Sequence, residues 1–201
     1  MARAAVGCRV CFETLRIAPP IVDIAQPRWV GPNYWVQSPR ILLMLLNPGS
    51  GEGYNEVADQ SFRDLLVAFR EGSGTLDSVL RHQGDDMPRW GRGRFSSFYL
   101  DGLGLELDEV AFANVAWCAT RGNQYPKSML DNCYSRFTDR LLEILRPDLV
   151  VLSGTNTHPF RDLVQQRLPE SKVITTLHYA HRKGRAAEED ETCRVKEEMA
   201  V

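Results

Sequence analysis

Short, uninterrupted apolar runs separated by amphipathic stretches dominate the chain. One run spans residues 41–46, and another spans residues 148–154 and ends in glycine. Apolar runs of this length without alternation are typical of strands that are buried on both faces of a parallel sheet. Residues 109–115 and 171–177 show the same pattern more weakly. We therefore predict four strands.

Apolar residues at helical spacing predict helices between these runs. The predicted helices are residues 59–70, 94–103 and 129–145, a helix that ends near Leu168, and a charged terminal helix over 185–200. Residues 71–93 are rich in Gly, Arg and Asp and predict an irregular insertion with one short helix. Strands that alternate with helices require crossovers, which cover both faces of a parallel sheet. The predicted fold is α/β, with three α/β/α layers around a central, mainly parallel four-stranded sheet.

The size of the chain favours a single domain. With 201 residues it can bury a sizeable core, and we expect one domain over 1–201. Residues 1–40 contain five prolines and two cysteines, so they predict a loop-rich lead-in to the first strand. Hydrophobic residues make up 43% and charged residues 25%, which excludes a wholly disordered chain.

The hydropathy of the chain indicates where the protein is located, and the location in turn indicates the redox state of its cysteines. No apolar run reaches transmembrane length, and the N-terminus lacks the apolar core of a secretory signal. We therefore expect a cytoplasmic protein without a membrane partner. Thiols stay reduced in that compartment, so five cysteines indicate metal binding or burial rather than disulfides. The formal net charge of -2 neither favours nor excludes a nucleic-acid partner.

The carboxyl ends of parallel strands are where such folds bind ligands. The loops at these ends begin at Asn47, Asn114, Gly154 and His178. The glycine-rich loop over 47–53 could approach a phosphate closely, or it could be an ordinary turn from strand to helix. It lacks the Gly-Lys-Ser/Thr of a Walker motif.

Taken together, these strand ends resemble the uracil-DNA glycosylase superfamily. Asn47-Pro48-Gly49 matches an Asn-Pro-Gly variant of its first motif, and Asn114 matches the asparagine of its middle motif. Arg146-Pro147-Asp148, followed by an apolar strand and glycine, is similar to another family segment, and His178 stands where its last histidine is expected. The resemblance spans residues 8–182. It implies an enzyme that flips a base out of DNA and hydrolyses its glycosidic bond.

The resemblance implies two catalytic residues. Asn47 would position the attacking water, and His178 would stabilise the negative charge on the departing base. Two departures stand out, since the iron–sulfur branch usually has an acidic residue at the position of Asn47, and Tyr179-Ala180 replaces the Pro-Ser of the last motif. An amide cannot act as a general base, although it can hold a water.

Further residues would bind the base and the DNA. The resemblance implies that Asn114 bonds the Watson–Crick edge of the base and that the backbone at Gly49 approaches it. Phe62 or Tyr54 would stack on the base. The basic residues that would contact phosphates follow the last strand: His181, Arg182 and Lys183. Residues 89–95 also mix arginines with aromatics, which suits phosphate contact and base stacking or a solvated loop around a buried Trp.

Four of the cysteines are similar in order to those of the iron–sulfur branch of this family. They are Cys8, Cys11, Cys118 and Cys133. The resemblance implies a structural [4Fe-4S] cluster, with zinc as the lesser alternative, because thiolates suit both. Burial of single cysteines as small apolar residues is the other interpretation.

Two functional hypotheses follow. The first is a monomeric DNA glycosylase of base-excision repair that acts on uracil or another deaminated base and has DNA as its partner. The alternative is a non-catalytic member of the same fold that binds nucleic acid or a nucleotide, because a fold does not fix a function.

Overall fold

The structure is a computed structural model that describes residues 1–48, 56–181 and 183–200. Its strands are β1 (Ile41–Leu45), β2 (Ala111–Asn114), β3 (Leu149–Ser153) and β4 (Lys172–Thr176). Its α-helices are α1 (Ala2–Val6), α2 (Glu56–Glu71), α3 (Leu76–Asp86), α4 (Lys127–Cys133), α5 (Asp139–Leu145), α6 (Arg161–Arg167) and α7 (Arg185–Met199). None of these helices is long and apolar enough to cross a membrane, among the residues that the structure describes.

The four strands form one all-parallel sheet in the order β2-β1-β3-β4. Ile41 pairs with Leu149, and Leu149 pairs in turn with Lys172. The prediction of a three-layer α/β/α fold around a central four-stranded sheet is confirmed. From β1 the chain continues to β2 on one side of the sheet, and from β3 it continues to β4 on the other side. The direction of the connections therefore reverses between β1 and β3. The carboxyl ends at such a reversal are the usual ligand position in open α/β sheets.

The two central strands are buried along their whole length. Every residue of β1 and β3 is buried, as expected for strands covered on both faces. Ile41, Leu43 and Leu45 face one core cluster, which also contains Phe95, Phe98 and Tyr99 from the helix over 94–103. Leu42, Met44, Val150 and Leu152, whose side chains point the other way, are fully buried as well.

The chain divides into two compact units. The first comprises Met1–Arg28, Asn47–His82 and Asn114–Leu141, and the second comprises Trp29–Leu46, Gln83–Ala113 and Leu142–Val201. The sheet belongs to the second unit apart from Asn114, the last residue of β2.

Hydrogen bonds tie the lead-in of the first unit to the segment that follows β2. The amide of Gln26 donates to the carbonyl of Trp117 at 2.7 Å, and the amide of Arg121 donates to Ala18 at 3.0 Å. The core of this unit consists of Val6, Val22, Ile24, Leu66, Phe69 and Val79. Residues 1–28 of the lead-in are therefore part of a packed unit, although most of their backbone is irregular.

Two predicted helices contain π-helical turns. The predicted helix over 129–145 corresponds to α4, which begins at Lys127, a π-helical segment over Tyr134–Thr138, and α5. The helix over 94–103 has a π-helical segment at Ser96–Asp101. Side-chain periodicity does not distinguish such turns from regular helix, so the sequence did not predict them. The insertion over 71–93 contains α3, an 11-residue helix and longer than the short one expected.

Candidate functional site

Asn47 follows β1 by two residues and is half-buried in the first unit. Its Nδ2 donates a hydrogen bond to Oδ1 of Asn123, with 3.0 Å between the two atoms. This bond fixes the orientation of the Asn47 amide. An asparagine so held presents defined donor and acceptor atoms to a small polar molecule such as water.

Asn123 is a residue that the sequence analysis did not select. It lies in the short helical turn Arg121–Asn123 and has a φ of 54°, next to Gly122 with a φ of 69°. Both residues occupy the left-handed region, which glycine and asparagine tolerate best. The Gly-Asn pair predicts a turn and nothing more, because only the fold brings it to Asn47.

Tyr125 lies close to the amide of Asn47. Burial raises the pKa of its hydroxyl to about 12, against smaller opposing effects from Thr120, from Asn47 and from the positive charge of Arg28. Arg28 itself is buried, with 7% of its surface exposed. At neutral pH the Tyr125 hydroxyl is therefore protonated and can donate a hydrogen bond.

Asn114 is the last residue of β2, and only 1% of its surface is exposed. Its carbonyl accepts a hydrogen bond from Thr138 Oγ1 at 3.0 Å, and Thr138 Oγ1 in turn accepts the indole N–H of Trp117. The backbone at Asn114 is thus fixed by a buried network. Buried polar groups of this kind keep one arrangement because each lost hydrogen bond is costly.

His178 follows β4 by two residues in the second unit. Its Nδ1 accepts the backbone N–H of Ala180 at 3.0 Å, so Nδ1 carries no proton. Burial lowers the pKa of His178 to about 4, with further lowering by the positive charges of His181 and Arg94. The imidazole is therefore neutral at pH 7 and carries its proton on Nε2, which makes Nε2–H a hydrogen-bond donor.

Gly154, at the end of β3, supports the His178 ring. It has a φ of +96°, and a Cβ at this position would lie 3.3 Å from Cβ of His178. The preceding residue, Ser153, donates to the carbonyl of Leu177 at 2.9 Å and accepts a short hydrogen bond from the Tyr99 hydroxyl. The segment that carries His178 is thus fixed from below by β3 and the helix over 94–103.

The residues predicted to stack on a base have different outcomes. Phe62 lies in α2, where its ring stacks on His82 with 5.0 Å between centroids, and it packs against the core of the first unit. A stacking role on a base stays a prediction. Gly49 and Tyr54 lie outside the described residues.

The predicted phosphate contacts follow His178. Nδ1 of His181 accepts the backbone N–H of Lys183 at 3.1 Å, and the Lys183 side chain is exposed. Arg182 lies outside the described residues. The segment thus offers one exposed ammonium group to an anion.

Three of the four predicted metal-binding cysteines contact one another in the first unit. Sγ of Cys11 lies 3.9 Å from Sγ of Cys133, and both thiols are close enough to Cys118 to raise its pKa well above the usual range. All three are buried, whereas Cys8 is half-buried and close enough for its charge to raise the pKa of Cys11. Hydrogen bonding with Cys11, and then with Cys118, lowers the pKa of Cys133.

The donor set suits a thiolate metal centre, but the side chains as they stand do not enclose one. In the described part of the chain, no three His, Cys, Asp or Glu side chains are arranged to hold a metal ion. Tetrahedral zinc with Zn–S bonds of about 2.3 Å requires sulfurs about 3.8 Å apart, close to the Cys11–Cys133 distance. An iron–sulfur cluster is larger than one ion and requires the thiols to rotate apart.

No protein-family model matches the chain, and a comparison with curated proteins finds no significant match. The functional interpretation therefore rests on the residues themselves. The first unit contains the hydrogen-bonded amides of Asn47 and Asn123 and, separately, a group of buried thiols. The second unit contains His178, a neutral histidine whose tautomer is set by the backbone N–H of Ala180.

Proposed function

We propose that the protein is a DNA glycosylase that removes uracil or another deaminated base from DNA. The support is the order of its motifs and their positions at successive strand ends of an all-parallel sheet. A glycosylase must flip the nucleotide out of the stack, at a cost of roughly a few kcal/mol. The chemistry then needs a held water, a site for the base, and stabilisation of the leaving group.

The state of His178 carries the proposal. Cleavage of the glycosidic bond leaves a negative charge on the base, and a neutral N–H donor aimed at that charge stabilises the transition state. The backbone of Ala180 and the burial of the ring keep His178 in the Nε2–H form. A neutral histidine performs this role in other enzymes that stabilise an oxyanion at neutral pH.

Asn47 and Asn123 would hold the nucleophile. The hydrogen bond from Asn47 Nδ2 to Asn123 fixes the amide, and its Oδ1, which has two lone pairs, would accept a hydrogen bond from the water. The water oxygen would bond to the sugar C1′ while the C1′–N bond breaks, and the electron pair of that bond would leave with the base. The proton of the water passes to solvent, because an amide cannot take it.

Base recognition is assigned to Asn114, whose amide can donate and accept along a Watson–Crick edge. Phe62 or Tyr54 would stack on the base, and the backbone at Gly49 would approach it. His181, Arg182 and Lys183 would contact phosphates. This assignment follows the family resemblance, and the fixed backbone at Asn114 supports it.

The four cysteines would hold a structural [4Fe-4S] cluster, with zinc as the alternative. Bound metal would cross-link Cys8 and Cys11 of the lead-in to Cys118 and Cys133. All five cysteines are free thiols, which fits the cytoplasmic location that we also propose. We expect a monomer.

A second candidate function is non-catalytic binding of nucleic acid or a nucleotide by the same residues. The observation that favours it is the amide of Asn47. A carboxylate at this position could act as a general base, but an amide cannot.

A single-turnover assay on oligonucleotides that contain uracil, hypoxanthine or xanthine separates the two functions. Enzyme in excess removes the influence of slow product release. Release of free base from at least one single- or double-stranded substrate supports the glycosylase. Binding of these oligonucleotides without base release supports the second function.

A further inference from the structure

Residues 89–94, which we call the arginine loop, contain three arginines next to a tryptophan. The tryptophan anchors the loop. Its ring packs edge-to-face on Phe95 and Phe112, with centroids 5.7 Å and 5.8 Å away, and its N–H donates to Asp86 at 2.9 Å. Trp90 is therefore a packed support for the loop, and the chemistry left to the loop is that of its guanidinium groups.

The arginine loop lies against the segment that follows β4. A Cβ at Gly91 would lie 2.7 Å from Cε2 of Tyr179, so only glycine allows this approach. Arg94 makes a short hydrogen bond to the carbonyl of His181 through Nη1 and an ion pair with Glu188 at 3.4 Å. The loop is thus fixed at the carboxyl edge of the sheet, next to His178.

Arg92 lies at the tip of this loop. Its φ of +62° is left-handed, a conformation that costs a non-glycine residue free energy, and its side chain is exposed. Neither Arg92 nor Lys183 has an acidic partner in the parts of the chain that the structure describes. The Arg89 side chain is 73% exposed and pairs with the surface carboxylate of Asp86. An exposed pair of this kind is weak, so an anion can compete for the guanidinium.

We infer that the arginine loop binds the sugar–phosphate backbone of nucleic acid, as a second contact beside His181 and Lys183. One planar guanidinium group can donate two parallel hydrogen bonds to a phosphate, and a polyanion can contact several cations on neighbouring loops. The choice of nucleic acid as partner rests on the proposed function. Trp90 is half-buried and packs against the core cluster, and a stacking role on a base stays a prediction.

The test is Arg92→Gly, which removes the charge and keeps a residue that favours the left-handed backbone. Arg146→Gly is the matched control, because Arg146 is an exposed arginine with a φ of 45° that precedes β3, at the opposite edge of the sheet. Binding is measured by fluorescence anisotropy with a single-stranded oligonucleotide that contains no deaminated base, over a range of salt.

We expect Arg92→Gly to weaken binding roughly five-fold at low salt and to flatten the slope of log K against log salt by about 0.7, the loss of one phosphate contact. Arg146→Gly should match the wild type. Equal slopes for the two variants would overturn the inference. If Arg92→Gly bound the oligonucleotide as tightly as the wild type but lost binding to poly-glutamate, the inference would be overturned in favour of an acidic protein partner. The oligonucleotide carries no substrate base, so the binding result does not depend on base release. Failure of this inference and failure of the glycosylase proposal can therefore be distinguished.

Discussion

The side chain of Asn47 donates to that of Asn123, with 3.0 Å between Nδ2 and Oδ1. The two residues are 76 positions apart, and they follow two different strands. Asn123 reaches this position because its backbone is left-handed. If Asn47 holds the attacking water, Asn123 determines which atom of its amide faces that water.

We therefore expect Asn123→Ala to slow base release roughly ten- to hundred-fold in single-turnover assays, since a misoriented water reacts poorly. DNA affinity should change little. Asn123→Asp keeps an acceptor for Asn47 Nδ2 and should recover part of the rate. Equal rates for wild type and Asn123→Ala would show that the hydrogen bond has no role in catalysis.

Gly154 supplies the second prediction. Alanine at this position adds a Cβ 3.3 Å from that of His178 and places it at a φ of +96°. Gly104→Ala is the control, because Gly104 is also left-handed, with a φ of +70°, but has open space around it. Both variants should lose about 1 kcal/mol of unfolding free energy from backbone strain. Only Gly154→Ala should also slow base release and shift the NMR signals of His178, and equal behaviour of the two would contradict the supporting role.

The partial burial of the His178 ring predicts a pH dependence of stability. Its pKa is about 4 in the folded protein and about 6.5 when unfolded, so the unfolded chain binds more protons between these values. Stability should therefore fall as the pH drops from 6.5 to 4 and be insensitive to this residue above 6.5. In denaturant titrations, the free energy of unfolding of His178→Gln should fall by on the order of 1–3 kcal/mol less than that of the wild type between pH 6.5 and pH 4. An NMR titration of His178 with a midpoint near 6.5 would contradict the prediction.

Much of the fold can be predicted from the sequence, because buried parallel strands are uninterrupted apolar runs. Residues 41–46 and 148–154 correspond to β1 and β3 within one residue at each end. The contact between Asn47 and Asn123 could not be predicted in the same way. It depends on two loops whose lengths and backbone angles only the folded chain determines. The tautomer of His178 likewise depends on a local backbone turn at Ala180.

The thiols of the first unit give a prediction that does not depend on catalysis. Cys118→Ser should remove the metal from protein purified anaerobically and lower the melting temperature by roughly 5–10 °C, because metal binding stabilises only the folded state. Cys193→Ser, which alters an exposed thiol in α7, should change neither. Iron with sulfide would identify a cluster, and zinc alone would identify the alternative. Wild-type protein that contains neither metal would contradict the proposed centre.

The most direct test of the glycosylase proposal compares wild type with Asn47→Ala on the same uracil-containing oligonucleotide. Base release is measured with enzyme in excess, and the dissociation constant is measured on DNA without the substrate base. A residue that acts only in the transition state affects the rate and leaves binding unchanged. We predict that wild type releases the base, and that Asn47→Ala is at least about a hundred-fold slower with nearly equal affinity. Wild-type protein that binds the DNA but releases no base from any deaminated substrate would contradict the account.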